Sequence, residues 1–220
     1  MLQNFNEKQK EVKDQLNILL NGLLDANKMI EKALSDCNKD HFTKAKNSIK
    51  NVGNKVVTID NDIITTLALH QPEAKDLRRM VSYLKITNEL VRASASTRSF
   101  IRDFQEVCTK VDLKIINEYA IPMQRTTVDA LGTILSMLDI DCHDEMQENF
   151  NHVLICENKT DDLYDMIETK LLKKADKENE FKNYHQMLAS LRRSEKIADR
   201  AMSIASLLLY ANNGGELHQV

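Results

Sequence analysis

Tryptophan is absent from this 220-residue chain, glycine occurs five times and proline twice. Glycine and proline punctuate turns and interrupt helices, so their scarcity leaves few turns and long regular elements. Aromatic residues are only 5% of the total. The core must be built from Leu, Ile, Met and Ala, which apart from the β-branched Ile sit well in helix interiors. No apolar run approaches the roughly 20 residues that a membrane span requires, and Met1 to Lys10 is polar, without the apolar core of a signal peptide. A cytoplasmic location is expected. The net charge is −3 with both signs mixed along the chain; no basic stripe is present, which argues against a nucleic-acid partner. Cys37, Cys108, Cys142 and Cys156 are widely spaced, with no Cys-x-x-Cys, and are expected to be reduced thiols. No nucleophile–base grouping, phosphate-cradling glycine loop or Cys/His zinc spacing is found, so the chain is not expected to be an enzyme.

What is present is helical periodicity, almost end to end. Hydrophobic residues make up 42% and charged residues 29%, an ordinary globular composition. Leu16, Leu19, Leu20, Leu23, Ala26, Ile30 and Ala33 form a stripe at three- and four-residue spacing. Asp36 to Asp40 is a polar break. A second helix carries Ile49, Val52, Val56, Ile59, Ile63 and Leu67 and ends at His70-Gln71-Pro72, because the residue before proline is pushed out of the helical region. A third shows Leu77, Met80, Val81, Leu84, Asn88, Val91 and Ala95 and continues to about Val107. A fourth covers Asp112 to Leu138, with Pro122 as a kink or late start. A fifth runs from the break at Asp139 to Asp144 to about Lys174, before a charged turn at Ala175 to Glu180. The sixth, with Met187, Leu188, Leu191, Ala198, Met202, Ala205 and Leu209, closes at Gly214-Gly215. The expected fold is all-α, an elongated antiparallel bundle of two three-helix repeats, residues 1–108 and 109–220. The halves correspond faintly at an offset of about 100 residues.

Carboxylates interrupt the apolar faces of the second half. On the sixth helix, Leu188, Leu191, Ala198, Met202 and Ala205 define one face, and Glu195 and Asp199 fall within or at its edge. On the fifth, Glu157 and Asp161 lie on the face marked by Phe150, Val153, Leu154, Tyr164, Leu171 and Leu172, with Glu168 further along. Each acid pair is four residues apart, so its members are neighbours and repel. Acids converging on a shared interior must bind a cation, take up protons or be neutralised by bases such as Arg192, Arg193, Lys196 and Arg200. An all-oxygen set suits Mg²⁺, Ca²⁺ or Mn²⁺ and also accepts iron. The matching first-half positions are Val56, Asp60, Val91 and Ala95; three of the four acids are missing there.

Two segments carry a family resemblance. Gln71-Pro72-Glu73-Ala74-Lys75-Asp76-Leu77-Arg78 resembles the Q-P-x-A-x-D-L-R element of the PhoU family, and Glu195-Lys196-Ile197-Ala198-Asp199-Arg200 is similar to its E-R-I-G-D element, with Lys196 for Arg and Ala198 for Gly. The resemblance implies two three-helix repeats, often dimeric, and association with a phosphate ABC transporter, including its ATPase subunit, and with a sensor histidine kinase, repressing the phosphate-starvation response. It also implies metal binding through E/D-x-x-x-D motifs. Carried onto this chain, those positions are Glu157, Asp161, Glu195 and Asp199, so that Mg, Mn or Fe is expected in the second repeat only. The competing readings are a ferritin-like carboxylate-bridged bundle and a metal-free helical adaptor with salt-bridged acids. The first needs Glu-x-x-His motifs, and none of His41, His70, His143, His152, His185 and His218 has Glu three residues before it. His70, Asp76 and Arg78 read as helix-end and first-turn structure.

Overall fold

A computed structural model describes residues 2–172 and 178–215. Among these the chain is helical throughout, without strands: α1 (Leu2–Asp36), α2 (Lys39–Ser48), α3 (Val52–His70), α4 (Ala74–Gln105), α5 (Leu113–Ile115), α6 (Ile121–Met137), α7 (His143–Leu172) and α8 (Glu178–Asn213). A π-helical turn, Ile116–Ala120, joins α5 to α6. The bundle is all-α, as expected from the scarcity of turn residues.

The helix ends follow local chemistry. Cys37, Asn51 and Gln71 adopt left-handed backbone conformations and break the chain between α1 and α2, α2 and α3, and α3 and α4. Asn38 caps α2, its side chain accepting from the Asp40 amide at 2.9 Å. α3 ends at His70, before Pro72, as the sequence predicts. Its expected partner segment is divided, however: the second helix is two helices, because Asn51 reverses the chain after Ser48. Asparagine tolerates that conformation better than most residues. At the other proline, the N–H of Ile121 donates to the carbonyl of Ile116 across the widened π turn, immediately before Pro122, which has no N–H to offer. Gly214, at φ +77°, closes α8, its amide bonded to the Tyr210 carbonyl at 3.0 Å. Of the expected charged turn at Ala175 to Glu180, residues 175–177 lie outside the described residues, and α8 has begun by Glu178.

α4 and α8 share the most extensive contact, with α7 packed on α8 and α6 on α7. α1 lies against α2, α3, α4 and α6. The core is contiguous, from Leu16, Leu23 and Ile30 of α1 through Phe100 and Phe104 of α4 to Ile134, Leu191 and Ile204. Gly22 permits a close approach of α1 to the end of α2: a Cβ there would lie 2.6 Å from the Ser48 carbonyl oxygen. At the centre, where α1, α4, α6 and α8 meet, a buried polar chain replaces apolar packing. Gln124 donates to Asn27 Oδ1 at 2.9 Å and accepts from Ser194 at 2.6 Å, while Asn27 donates to the Leu23 carbonyl at 2.9 Å. All three residues are fully buried. Such a network favours one register, since a shifted packing strands its donors and acceptors.

One expected face is rotated, and a second departs at one residue. On α4, Leu77, Asn88 and Ala95 are exposed, whereas Tyr83, Ile86, Leu90, Ala93 and Thr97 are buried. α4 packs against α1, α2, α3 and α8, so its buried surface is wider than one stripe and centred elsewhere. On α7, Leu154 turns outward while Phe150, Val153, Tyr164 and Leu171 are buried. The cysteine expectation also fails for one pair. Cys37, after α1, and Cys108, after α4, form a disulfide with Cα atoms 5.8 Å apart across 71 residues of sequence. Sequence spacing carries no trace of this, because the two meet only when α1 and α4 lie side by side. Cys142 and Cys156 are free thiols.

Candidate metal centre

α7 and α8 bring the second-half acids together. The two helices run antiparallel, as their cross-contacts show: Glu157 and Asp161 of α7 face Asp199 of α8, and Tyr164, further along α7, meets Arg192, earlier on α8. One carboxylate oxygen from each of Glu157, Asp161 and Asp199 lies within 4.8 Å of the others. Glu157 and Asp199 are half-buried and Asp161 is exposed. All three carboxyls are held above the usual carboxylate range, first by burial. Repulsion adds to this: Asp161 and Asp199 act on Glu157, and Asp161 acts on Asp199. Asp161 feels Asp162 and Asp165, offset by Arg192.

Glu195 stands apart from that group. It is only 7% exposed. Arg192 Nη1 approaches its Oε2 to 2.7 Å as an ion pair, but without hydrogen-bond alignment, so Oε2 accepts no hydrogen bond. Burial pushes the Glu195 carboxyl up to about 7, against the opposing pull of Arg192. Arg192 also lies over the Tyr164 ring, 5.0 Å from its centroid. The guanidinium is therefore divided between an aromatic face and an acid. Beyond it, an apolar hollow of about 400 Å³ runs between α7 and α8, lined by Leu171, Phe181, Tyr184 and Leu188 among others.

The acid group can hold a hard divalent cation. Three oxygens from two helices converge, and a cation among them converts mutual repulsion into shared attraction. The corresponding place in the first half differs. Asp60 accepts a hydrogen bond from Thr87 at 2.7 Å, Val56 is buried, and Ala95 is exposed. One carboxylate with a neutral donor is a satisfied polar group, needing no cation. The remaining residues singled out by sequence take structural places. His70 packs edge-on against Phe5 at 5.9 Å. Asp76 accepts from Gln9 at 3.4 Å. Arg78 lies over Tyr210, 5.8 Å from the ring centroid, and against Gly214, where a Cβ would come within 3.1 Å of its guanidinium. It thus packs against the C-terminal end of α8, where a cation meets the negative end of the helix dipole.

A second group went unseen in the sequence. Asp129 of α6 with His152 and Cys156 of α7 brings carboxylate, imidazole and thiol within 4.8 Å of one another. His152 and Cys156 are one helical turn apart, a signal available in the sequence. Asp129 is not, since only the packing of α6 on α7 supplies it.

A model of the PhoU domain family matches residues 16–103. No curated protein sequence matches the chain. Among solved structures, the fold is similar along its whole length to PhoU from Pseudomonas aeruginosa, with a TM-score of 0.84 and 18% identity, covering 96% of this chain and 100% of that one. It is also similar to the phosphate transport system regulatory protein PhoU from Streptococcus pneumoniae, with a TM-score of 0.80 and 17% identity, covering 98% of this chain and 100% of that one.

Proposed function

We propose that this chain, which carries a PhoU domain and the PhoU fold, regulates phosphate uptake by binding other proteins rather than by turnover. The observation that carries the reading is the PhoU-domain match over residues 16–103. The fold agrees along the chain, and one of the structures it resembles is described as a phosphate transport system regulatory protein. The partners that fit are the ATPase subunit of a phosphate ABC transporter and a sensor histidine kinase, met by a homodimer in the cytoplasm. No described helix is long and apolar enough to cross a membrane. In this reading the chain is two three-helix repeats, residues 1–108 and 109–220.

A divalent or iron cation in the second repeat, held by Glu157, Asp161 and Asp199 with Glu195 beside them, would fix α7 against α8. The convergence of three carboxylates and the unaligned, buried Glu195 support it. The ferritin-like alternative gains nothing from this arrangement, since no histidine among the described residues joins the acid group.

The test is capture from native cytoplasm with tagged protein, together with light scattering. A transporter ATPase subunit or a histidine kinase should be recovered, and the mass should exceed that of the 25.2 kDa chain. Recovering neither, with robust hydrolase or oxidase activity in pure protein, would overturn the assignment.

A further inference from the structure

α7 has a second chemical face, turned toward α6 rather than α8. His152 and Cys156 are four residues apart, so their side chains stack on one side of the helix. Asp129 projects to meet them from α6. His152 Nε2 lies 3.1 Å from Asp129 Oδ2, Cys156 Sγ lies 3.8 Å from the same oxygen, and Sγ to Nε2 is 3.7 Å. The three donor atoms therefore form a closed triangle.

The edges of that triangle match the donor spacing of a tetrahedral metal site. Zinc binds sulfur at about 2.3 Å and histidine nitrogen or carboxylate oxygen at about 2.0–2.1 Å, with tetrahedral angles. Those lengths place nitrogen and oxygen about 3.3 Å apart, and sulfur about 3.6 Å from either. The observed edges depart from these values by a few tenths of an ångström. The donor set also selects the ion. Thiolate and imidazole suit zinc and cobalt, while Mg²⁺ and Ca²⁺ prefer oxygen alone. Exposure fits a site with an open position: Asp129 and His152 face solvent, and Cys156 forms a buried floor, 3% exposed. Three protein ligands leave the fourth place to water.

The geometry points to a Zn²⁺ site formed by Asp129, His152 and Cys156, separate from the all-oxygen group on the other face of α7. Binding is balanced as follows. The Cys156 thiol releases its proton to solvent and its sulfur joins the metal; the His152 lone pair on Nε2 does the same with the ring proton on Nδ1; the Asp129 carboxylate joins through Oδ2. One thiolate and one carboxylate neutralise the dication. The ion would tie α6 to α7 midway along both.

Bound Co²⁺ reports on sulfur ligation through a near-ultraviolet sulfur-to-cobalt charge-transfer band, so cobalt is the probe, followed by displacement with Zn²⁺ against a chromophoric chelator. The full-length protein, treated with a non-thiol reductant and freed of metal, should take up Co²⁺ with that band and with release of the thiol proton, and then exchange it for Zn²⁺ without further proton release. Cys156→Ser should abolish the band, and His152→Ala should weaken Zn²⁺ binding about tenfold or more. Cys142→Ser should leave both unchanged. Absence of the band in the unsubstituted protein overturns the proposal, whatever the variants do. So does a band that survives Cys156→Ser, or Zn²⁺ affinity indifferent to His152→Ala. An ordinary Asp–His ion pair beside a spectator thiol would give no band.

Discussion

Glu195 is the residue at which charge and burial disagree most. It sits on the core side of α8, 7% exposed, with one imperfectly aligned arginine. Its carboxyl is raised to about 7 in the fold, from an ordinary value of 4.5. The folded chain therefore binds a proton that the unfolded chain has already released between those two values. Stability contributed by the protonated form is complete below about pH 4.5 and is lost as the pH rises through 7. In chelator-treated protein, thermal stability should fall between pH 5 and pH 8 by an amount below about 3 kcal/mol. Glu195→Gln should flatten that slope, because the amide is neutral throughout. An unchanged slope in the variant would assign the effect to the neighbouring acids instead. The helical period showed Glu195 to be on an apolar face; that it stands outside the group of the other three acids is visible only in the fold.

Helix pairs explain why like positions in the two halves behave differently. α7 and α8 present three converging carboxylates, whereas α3 and α4 present Asp60 bonded to Thr87 beside apolar residues. Between α7 and α8, a cation binding the native state alone stabilises it by mass action. Added Mg²⁺, Mn²⁺ or Fe²⁺ should raise the melting temperature relative to chelated protein. Asp199→Ala should remove most of that gain, and Asp60→Ala should leave it nearly unchanged. The reverse result would place the site in the first half, and no metal response at all would favour the salt-bridged acids alone. Periodicity located this contrast because substitutions such as Val56 and Val91 for acids are visible in a helical register. The true buried face of α4 was less visible. A helix packed on several neighbours buries more than one stripe, and hydrophobicity does not say which neighbour lies where.

At the scale of the whole molecule, the disulfide closes 71 residues between the ends of α1 and α4. In the chain-entropy account, a loop of that size stabilises the fold by up to about 4 kcal/mol by restricting the unfolded chain. Reduction, or Cys37→Ser, should lower the denaturant midpoint, and a reductant should have no further effect on the variant. Equal midpoints for oxidised and reduced protein would show the bond to be energetically silent. The sequence by itself determined that the chain is all-helical, where most helices begin and end, and that acids concentrate in the second half. These are local matters of turn chemistry and of a 3.6-residue period. Only the tertiary structure decided that Cys37 meets Cys108, that Asp129 joins His152 and Cys156, and that Asn27, Gln124 and Ser194 share hydrogen bonds. Each of these joins residues of different helices, and such contacts depend on how helices are placed against one another, which no pattern within a single helix records.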